Sequence, residues 1–223
     1  MSLDSIPSDL REAIEGDLDP VRPLHPAWVR TMLAVAILVV VLAFVLAKAS
    51  LRPDMDQLPI WLSWGCSILQ LALGVLLIGL ALREAVPGEG IPGGAVRIAA
   101  ITALAVQILV GIATSIYSPA ITMPGSGIAP GIGCLKHETA MALPTFVVTL
   151  WLVFRALPLR APTAGLLGGA GATVASDAVI HLLCPMSNLT HVFVWHTGAL
   201  ILFMALGWFA GTIWERLRWR QTS

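Results

Sequence analysis

The sequence predicts an all-α integral membrane protein of six transmembrane helices, with both termini on the cytoplasmic side. Three observations carry this. Hydrophobic residues make up 57% of the 223-residue chain and charged residues only 12%, at a mean hydropathy of +0.85; a soluble domain carries about 25% charged residues. Six apolar runs reach the ~20 residues that cross a hydrocarbon core. Sorting Lys and Arg between alternate loops puts ten on one side and three on the other, and the richer side is the cytoplasmic one.

The first element is a cytoplasmic tail, residues 1–28. It is polar, and six of the thirteen acidic residues fall in its first nineteen positions: Asp4, Asp9, Glu12, Glu15, Asp17 and Asp19. Leu10, Ile14 and Leu18 recur every four residues, an apolar stripe on an acidic helix. Asp9 with Glu12 resembles a capping pair, while Gly16 weakens the far end. Pro20, Pro23 and Pro26 then hold the chain extended before the membrane. A helix of about ten residues is marginal alone in water, so this one is expected to fold on a partner, stripe in a groove and acids toward a basic surface. A solvated tail is the alternative. Anionic headgroups repel such a charge, which disfavours a lipid anchor. The first apolar run is long enough to stay in the bilayer, so no cleaved signal peptide is expected.

The six helices are placed near Val29–Ala47, Ile60–Leu82, Val96–Tyr117, Thr139–Ala156, Thr163–Leu183 and Val192–Trp214, forming a domain over residues 29–215. Turn-forming residues separate them: Arg52-Pro53-Asp54, Pro87-Gly88-Glu89-Gly90, Pro92-Gly93-Gly94, Pro124-Gly125-Ser126-Gly127, Pro158 and Pro185. Trp28, Trp61, Trp64, Trp214 and Trp219 fall near helix ends, as interfacial anchors do. Gly165 and Gly169 form a small-xxx-small pair, so the fifth helix is expected to pack very closely on a neighbour. No strand-like alternation appears, and the loops are too short for a second folded domain. A short basic tail, residues 216–223, ends the chain.

Chemistry concentrates in two windows, Gly133–Met141 and Asp177–His196, which hold four of the five histidines and two of the three cysteines. The orientation turns both outward, as periplasmic sensor loops. Asp177, His181 and Cys184 are spaced i, i+4, i+7 and share one helical face. Cys134, His137 or Glu138, and Met141 repeat that spacing. His191 and His196 come from the sixth helix, where a separation of five puts them about 140° apart, unless His191 lies in the loop. A carboxylate inside a membrane helix is costly unless paired. Asp177 is therefore expected to accept the N–H of His181 while the other ring nitrogen faces a ligand, with Glu138 doing the same for His137. Thiol and imidazole select soft or borderline ions such as copper, zinc and cadmium. The same thiols could form a disulfide if their Cα atoms come within about 7 Å. Without any ligand, these groups could also simply satisfy one another and tie three helix ends together. Three cysteines exclude a disulfide-stapled scaffold. Cys66, inside the second helix, reads as a small packing residue. The Asn188-Leu189-Thr190 sequon matters only in a eukaryotic secretory pathway.

The stretch Asp17-Leu18-Asp19-Pro20-Val21-Arg22-Pro23-Leu24, the pair Gly133-Cys134 with Glu138, and His181-Leu182-Leu183-Cys184-Pro185 followed by His191 and Trp195-His196 together resemble the NrsF family. The resemblance spans essentially the whole chain. It implies a six-helix anti-sigma factor of the bacterial inner membrane. The cytoplasmic tail (Leu10, Glu12, Ile14, Glu15, Leu18, Pro20, Arg22 and Pro23) would hold an extracytoplasmic-function (ECF) sigma factor at the bilayer, with no direct nucleic-acid contact. It further implies that Cys134 and Cys184 are needed to release that partner under heavy-metal or oxidative stress. A shift of the fourth, fifth and sixth helices would have to alter how the tail meets the sigma factor.

Two rivals belong to other classes. A soft-metal transporter needs ligands continuing through the bilayer, for which Cys66, Gln70 and Gln107 are the weak candidates. A membrane thiol oxidoreductase favours closely spaced cysteines on each loop, and each outer loop has one. No hydrolase motif occurs, so an enzyme is not expected.

Overall fold

The computed structural model describes residues 24–118 and 128–221, together with residues 7, 9, 10, 12 and 16 of the tail. Among the described residues the chain is all-helical, with six helices long and apolar enough to cross a membrane. They are α1 (Ala27–Lys48), α2 (Trp61–Glu84), α3 (Gly93–Tyr117), α4 (Ile128–Arg155), α5 (Ala161–Leu183) and α6. The last comprises a turn Leu189–His191, a π-helical stretch Val192–Thr197 and an α-helix Gly198–Gln221. The first five residues of α2, Trp61–Gly65, are also π-helical. Proline sets several starts: Pro26 and Pro92 precede α1 and α3, and a proline occupies the first turn of α5, where its missing N–H costs nothing.

α5 is the central post. Every residue from Leu167 to Leu182 is buried, and the helix packs most extensively on α2 and α6, then on α4. Small residues let it get that close. A Cβ at Gly165 or Gly169 would collide with the backbone carbonyl of Gly207 or Phe203 on α6, and Gly171 lies equally close to the Gly74 backbone of α2. The small-xxx-small pair does what its spacing predicts. Around it Leu77 and Ala81 of α2, Ala103 of α3, Leu167, Ala170 and Val174 of α5, and Leu200 of α6 form one cluster.

The two ends of the bundle are tied by buried polar groups. At the end where α1 begins and α6 finishes, Arg30 donates to the carbonyls of Leu82 (2.8 Å) and Leu152 (3.3 Å), near the C-termini of α2 and α4, where a cation suits the dipole. Glu84 pairs with Arg160 at 2.6 Å and accepts the Ile91 N–H, while Glu215 accepts the Ala161 N–H that opens α5. At the opposite end Arg52 forks onto Asp54 (2.6 and 2.7 Å) and reaches the hydroxyls of Ser118 and Ser187. Burial alone would raise the Asp54 carboxyl, but the hydrogen bonds from Arg52 and Ser118 outweigh it and hold it below the usual aspartate range.

Two expectations change here. α4 begins at Ile128 rather than near Thr139, so Gly133–Glu138 is helical and not a loop; Pro130 and Gly131 fall in the first turn, which tolerates a proline. α6 begins at Leu189, so His191 is helical too. Asn188 caps that start, its side chain accepting the His191 N–H at 2.8 Å, which gives the sequon asparagine a structural task. Trp28, Trp61 and Trp64 are exposed at helix ends. Asp9, Leu10, Glu12 and Gly16 are helical and exposed; Ile14, Glu15, Asp17, Leu18, Asp19, Pro20, Arg22 and Pro23, the Pro124–Gly127 turn and the Trp219 side chain lie outside the described residues.

Candidate functional site

Three helices deliver the site. Cys134 lies near the start of α4, and Cys184 caps the end of α5, its N–H bonded to the Ile180 carbonyl at 2.7 Å before Pro185 stops the helix. His191 and His196 stand at the start of α6. The sulfurs of Cys134 and Cys184 are 3.3 Å apart as free thiols, and His191 Nε2 is 3.5 Å from Cys184 Sγ. The contact with Cys134, and then burial, push the Cys184 thiol up, and either sulfur can donate in the bond between the two.

The two histidines converge because α6 is not α-helical there. A separation of five residues splays side chains about 140° apart on an α-helix. Across Val192–Thr197 the backbone bonds i to i+5, which stacks residues five apart, and the two rings sit with centroids 5.3 Å apart. The π-helical backbone, rather than a loop, is what frees His191 and His196 from the 140° separation of an α-helix. Neither their spacing nor their composition signals a π-turn.

One sulfur or ring nitrogen from each of Cys134, Cys184, His191 and His196 lies within 4.8 Å of the others. Two thiols and two imidazoles are a tetrahedral zinc or copper(I) donor set, so the residues fit a soft or borderline ion. They equally fit a disulfide, since the sulfurs need only close from 3.3 Å to about 2.05 Å. His196 Nδ1 is 2.7 Å from Asp177 Oδ1, and the ring is also within bonding reach of both thiols. A carboxylate behind a ligating imidazole holds its orientation and tautomer.

Asp177 thus hydrogen-bonds His196 rather than His181. Its other oxygen accepts from Gln70 Nε2 and Gln107 Nε2, both at 2.7 Å, and Gln70 also donates to Gln107 Oε1 at 3.1 Å. Three bonds satisfy a fully buried carboxylate that would otherwise be untenable. His181 is buried and pairs with the Leu62 carbonyl at 2.9 Å, in the π-helical turn of α2. The shared i, i+4 face is real in one respect: Asp177 and His181 line the same cavity of about 30 Å³, with Arg52, Gln107, Cys184 and His196. Glu138 is fully buried and does not serve His137; its Oε2 lies 3.6 Å from His196 Nδ1. His137 is exposed and bonds its own backbone at Gly133, so the structure leaves it outside the cluster. Cys66 is a half-buried free thiol.

Gln70, Gln107, Arg52 and Trp195 are the residues that sequence reasoning undervalued. The two glutamines were weighed only as steps of a transport path, whereas an amide inside an apolar helix is itself a sign of a buried polar partner. Trp195 packs its indole on Gly131, where a Cβ would overlap the ring, and so seats the start of α4, with Cys134, against α6.

Comparison with family models matches residues 15–219 to NrsF, negative regulator of sigma F. Comparison with curated proteins and with solved structures gives no match. The chain belongs to the NrsF family, and is accordingly a negative regulator of a sigma factor rather than a member of an enzyme class.

Proposed function

We propose that this NrsF-family protein is an inner-membrane anti-sigma factor whose N-terminal tail sequesters an ECF sigma factor and whose Cys134–Cys184–His191–His196 cluster triggers its release. The observation that carries the reading is the convergence of two thiols and two imidazoles, from three helices, at the end of the bundle opposite to the tail. The ten-to-three Lys and Arg asymmetry supports a cytoplasmic tail and a periplasmic cluster.

The cluster takes its signal in either of two ways. A soft ion such as cadmium, copper(I) or zinc engages the four donors, or an oxidant takes two electrons and two protons from Cys134 and Cys184 and leaves a disulfide. The ion draws α4, α5 and α6 together at one end, and the disulfide draws α4 to α5 there. Because α5 is packed without slack against α2 and α6, movement there is passed on as a shift of whole helices rather than absorbed locally. The tail joins the bundle through α1, which packs on α4 and α2. A fiftyfold loss of sigma-factor affinity requires about 2.3 kcal/mol of coupling, inside the usual allosteric range.

The test is co-purification. Full-length protein in detergent should retain the sigma factor, lose it when cadmium or a disulfide-forming oxidant is added, and retain it under both when Cys134 and Cys184 are serine. Retention by wild type despite demonstrable cadmium binding would sink the release mechanism.

A further inference from the structure

Beside the thiols lies a second group of donors, two of which, Glu138 and Asp177, the signalling scheme does not use as ligands. Glu138 Oε2, Asp177 Oδ1 and His196 Nδ1 lie within 4.8 Å of one another, all buried. His196 Nδ1 is 2.7 Å from Asp177 and 3.6 Å from Glu138. Glu138 has no exposed surface, and neither of its oxygens accepts a hydrogen bond from the described residues. The Oε1 of Gln70, whose amide nitrogen binds Asp177, is also buried and without a partner.

Elsewhere in this bundle the buried carboxylates Asp54 and Glu84 each stand against an arginine, Arg52 and Arg160, and accept further hydrogen bonds from Ser118 and the Ile91 N–H. Glu138 stands out as a carboxylate aimed at another carboxylate inside an apolar helix pack. Two carboxylates side by side persist as charges in such surroundings when they are paired or coordinate a metal, and neither oxygen of Glu138 has a hydrogen-bond partner.

We infer that Glu138, Asp177 and His196 Nδ1 form a second, inner cation site for a borderline divalent ion of the zinc or manganese(II) class. Two carboxylates and a neutral imidazole around a dication make a neutral unit, which removes the charge imbalance. The donors are hard oxygens plus one imidazole, in contrast to the sulfur-rich outer set, so the two sites select different ions. Donors around a tetrahedral ion at ~2.1 Å are separated by about 3.4 Å; Glu138 and His196 stand 3.6 Å apart, while the 2.7 Å between His196 and Asp177 is a hydrogen bond that opens when an ion enters. A cavity of about 30 Å³ lies beside Asp177 and His196, large enough for one water or ion. An ion here would replace the proton shared by His196 and Asp177 and pin the ring that faces the thiols. The inner site stands on its own geometry, whether or not the outer thiols report metal stress.

The experiment uses full-length protein purified in detergent, loaded with zinc, desalted and analysed for metal per chain. The Cys134→Ser/Cys184→Ser variant should still hold one zinc ion, and adding Glu138→Gln should abolish it. X-ray absorption of the thiol-free protein should show only oxygen and nitrogen neighbours, a readout that needs no variant at Glu138. The inference is overturned if the thiol-free protein holds no zinc, or if Glu138→Gln leaves its zinc content unchanged. Loss of inner zinc with cadmium-triggered sigma release intact would separate this site from the signalling centre.

Discussion

At the scale of single residues, the site depends on partners that hold its ligands still. Asp177 accepts from His196, Gln70 and Gln107 at 2.7 Å each. Asp177→Asn should weaken cadmium binding about 10- to 100-fold, measurable by calorimetric titration of purified protein; unchanged affinity would remove Asp177 from the site. Arg52→Ala leaves Asp54 buried and unpaired, which typically costs about 3 kcal/mol and should lower the thermal midpoint in detergent. The Asp54 carboxyl is held down in the folded state, so its contribution is complete above the ordinary aspartate value of ~3.9 and is lost only as pH falls below it. Stability should therefore be flat through neutrality in this respect and fall on acidification, less so in Arg52→Ala. The residue types of this site were legible in the sequence: Cys134, Cys184, His191, His196 and Asp177 all belong to it. Their pairing was not, because Asp177 and His181 share a face by spacing yet do not bond each other: Asp177 reaches Gln70, Gln107 and His196, and His181 the Leu62 carbonyl.

At the scale of elements, the decisive departure is the π-helical stretch Val192–Thr197. It brings His191 to His196, and no local propensity announces it; an extra residue per turn is sustained by packing, here of Trp195 against Gly131. Gly131→Val would push the indole away and draw α4 from α6. Bridging of Cys134 to Cys184 by an added oxidant should then slow several-fold, read by alkylation and gel shift. Gly133→Val, which faces open space, should leave the rate unchanged. Equal rates in both variants would deny Trp195 its positioning role. The Gly165–Gly169 pair was readable because close approach demands small residues at a spacing of four. The early start of α4 was not, since Pro130, Gly131 and Gly133 read as a turn while their position in the first helical turns suits them.

At the scale of the molecule, six apolar runs and their sparse charges announced the bundle, since a run of about 20 apolar residues crosses lipid as a helix that satisfies its own backbone. Its interior order was hidden. That α5 is the buried post while α1 and α3 lie at the rim comes from glycine-mediated packing across distant helices, which no local window reports. The architecture places a reactive cluster at one end and the attachment of the acidic tail at the other, so function requires that one end bias the other. The most direct test is a genome-wide transcript comparison of wild type, a deletion strain and a Cys134→Ser/Cys184→Ser strain, with and without cadmium or copper. The account predicts that deletion switches on one small regulon without stress, and that the serine strain keeps it silent under metal. A deletion that leaves transcription unchanged while altering cellular metal content would contradict it.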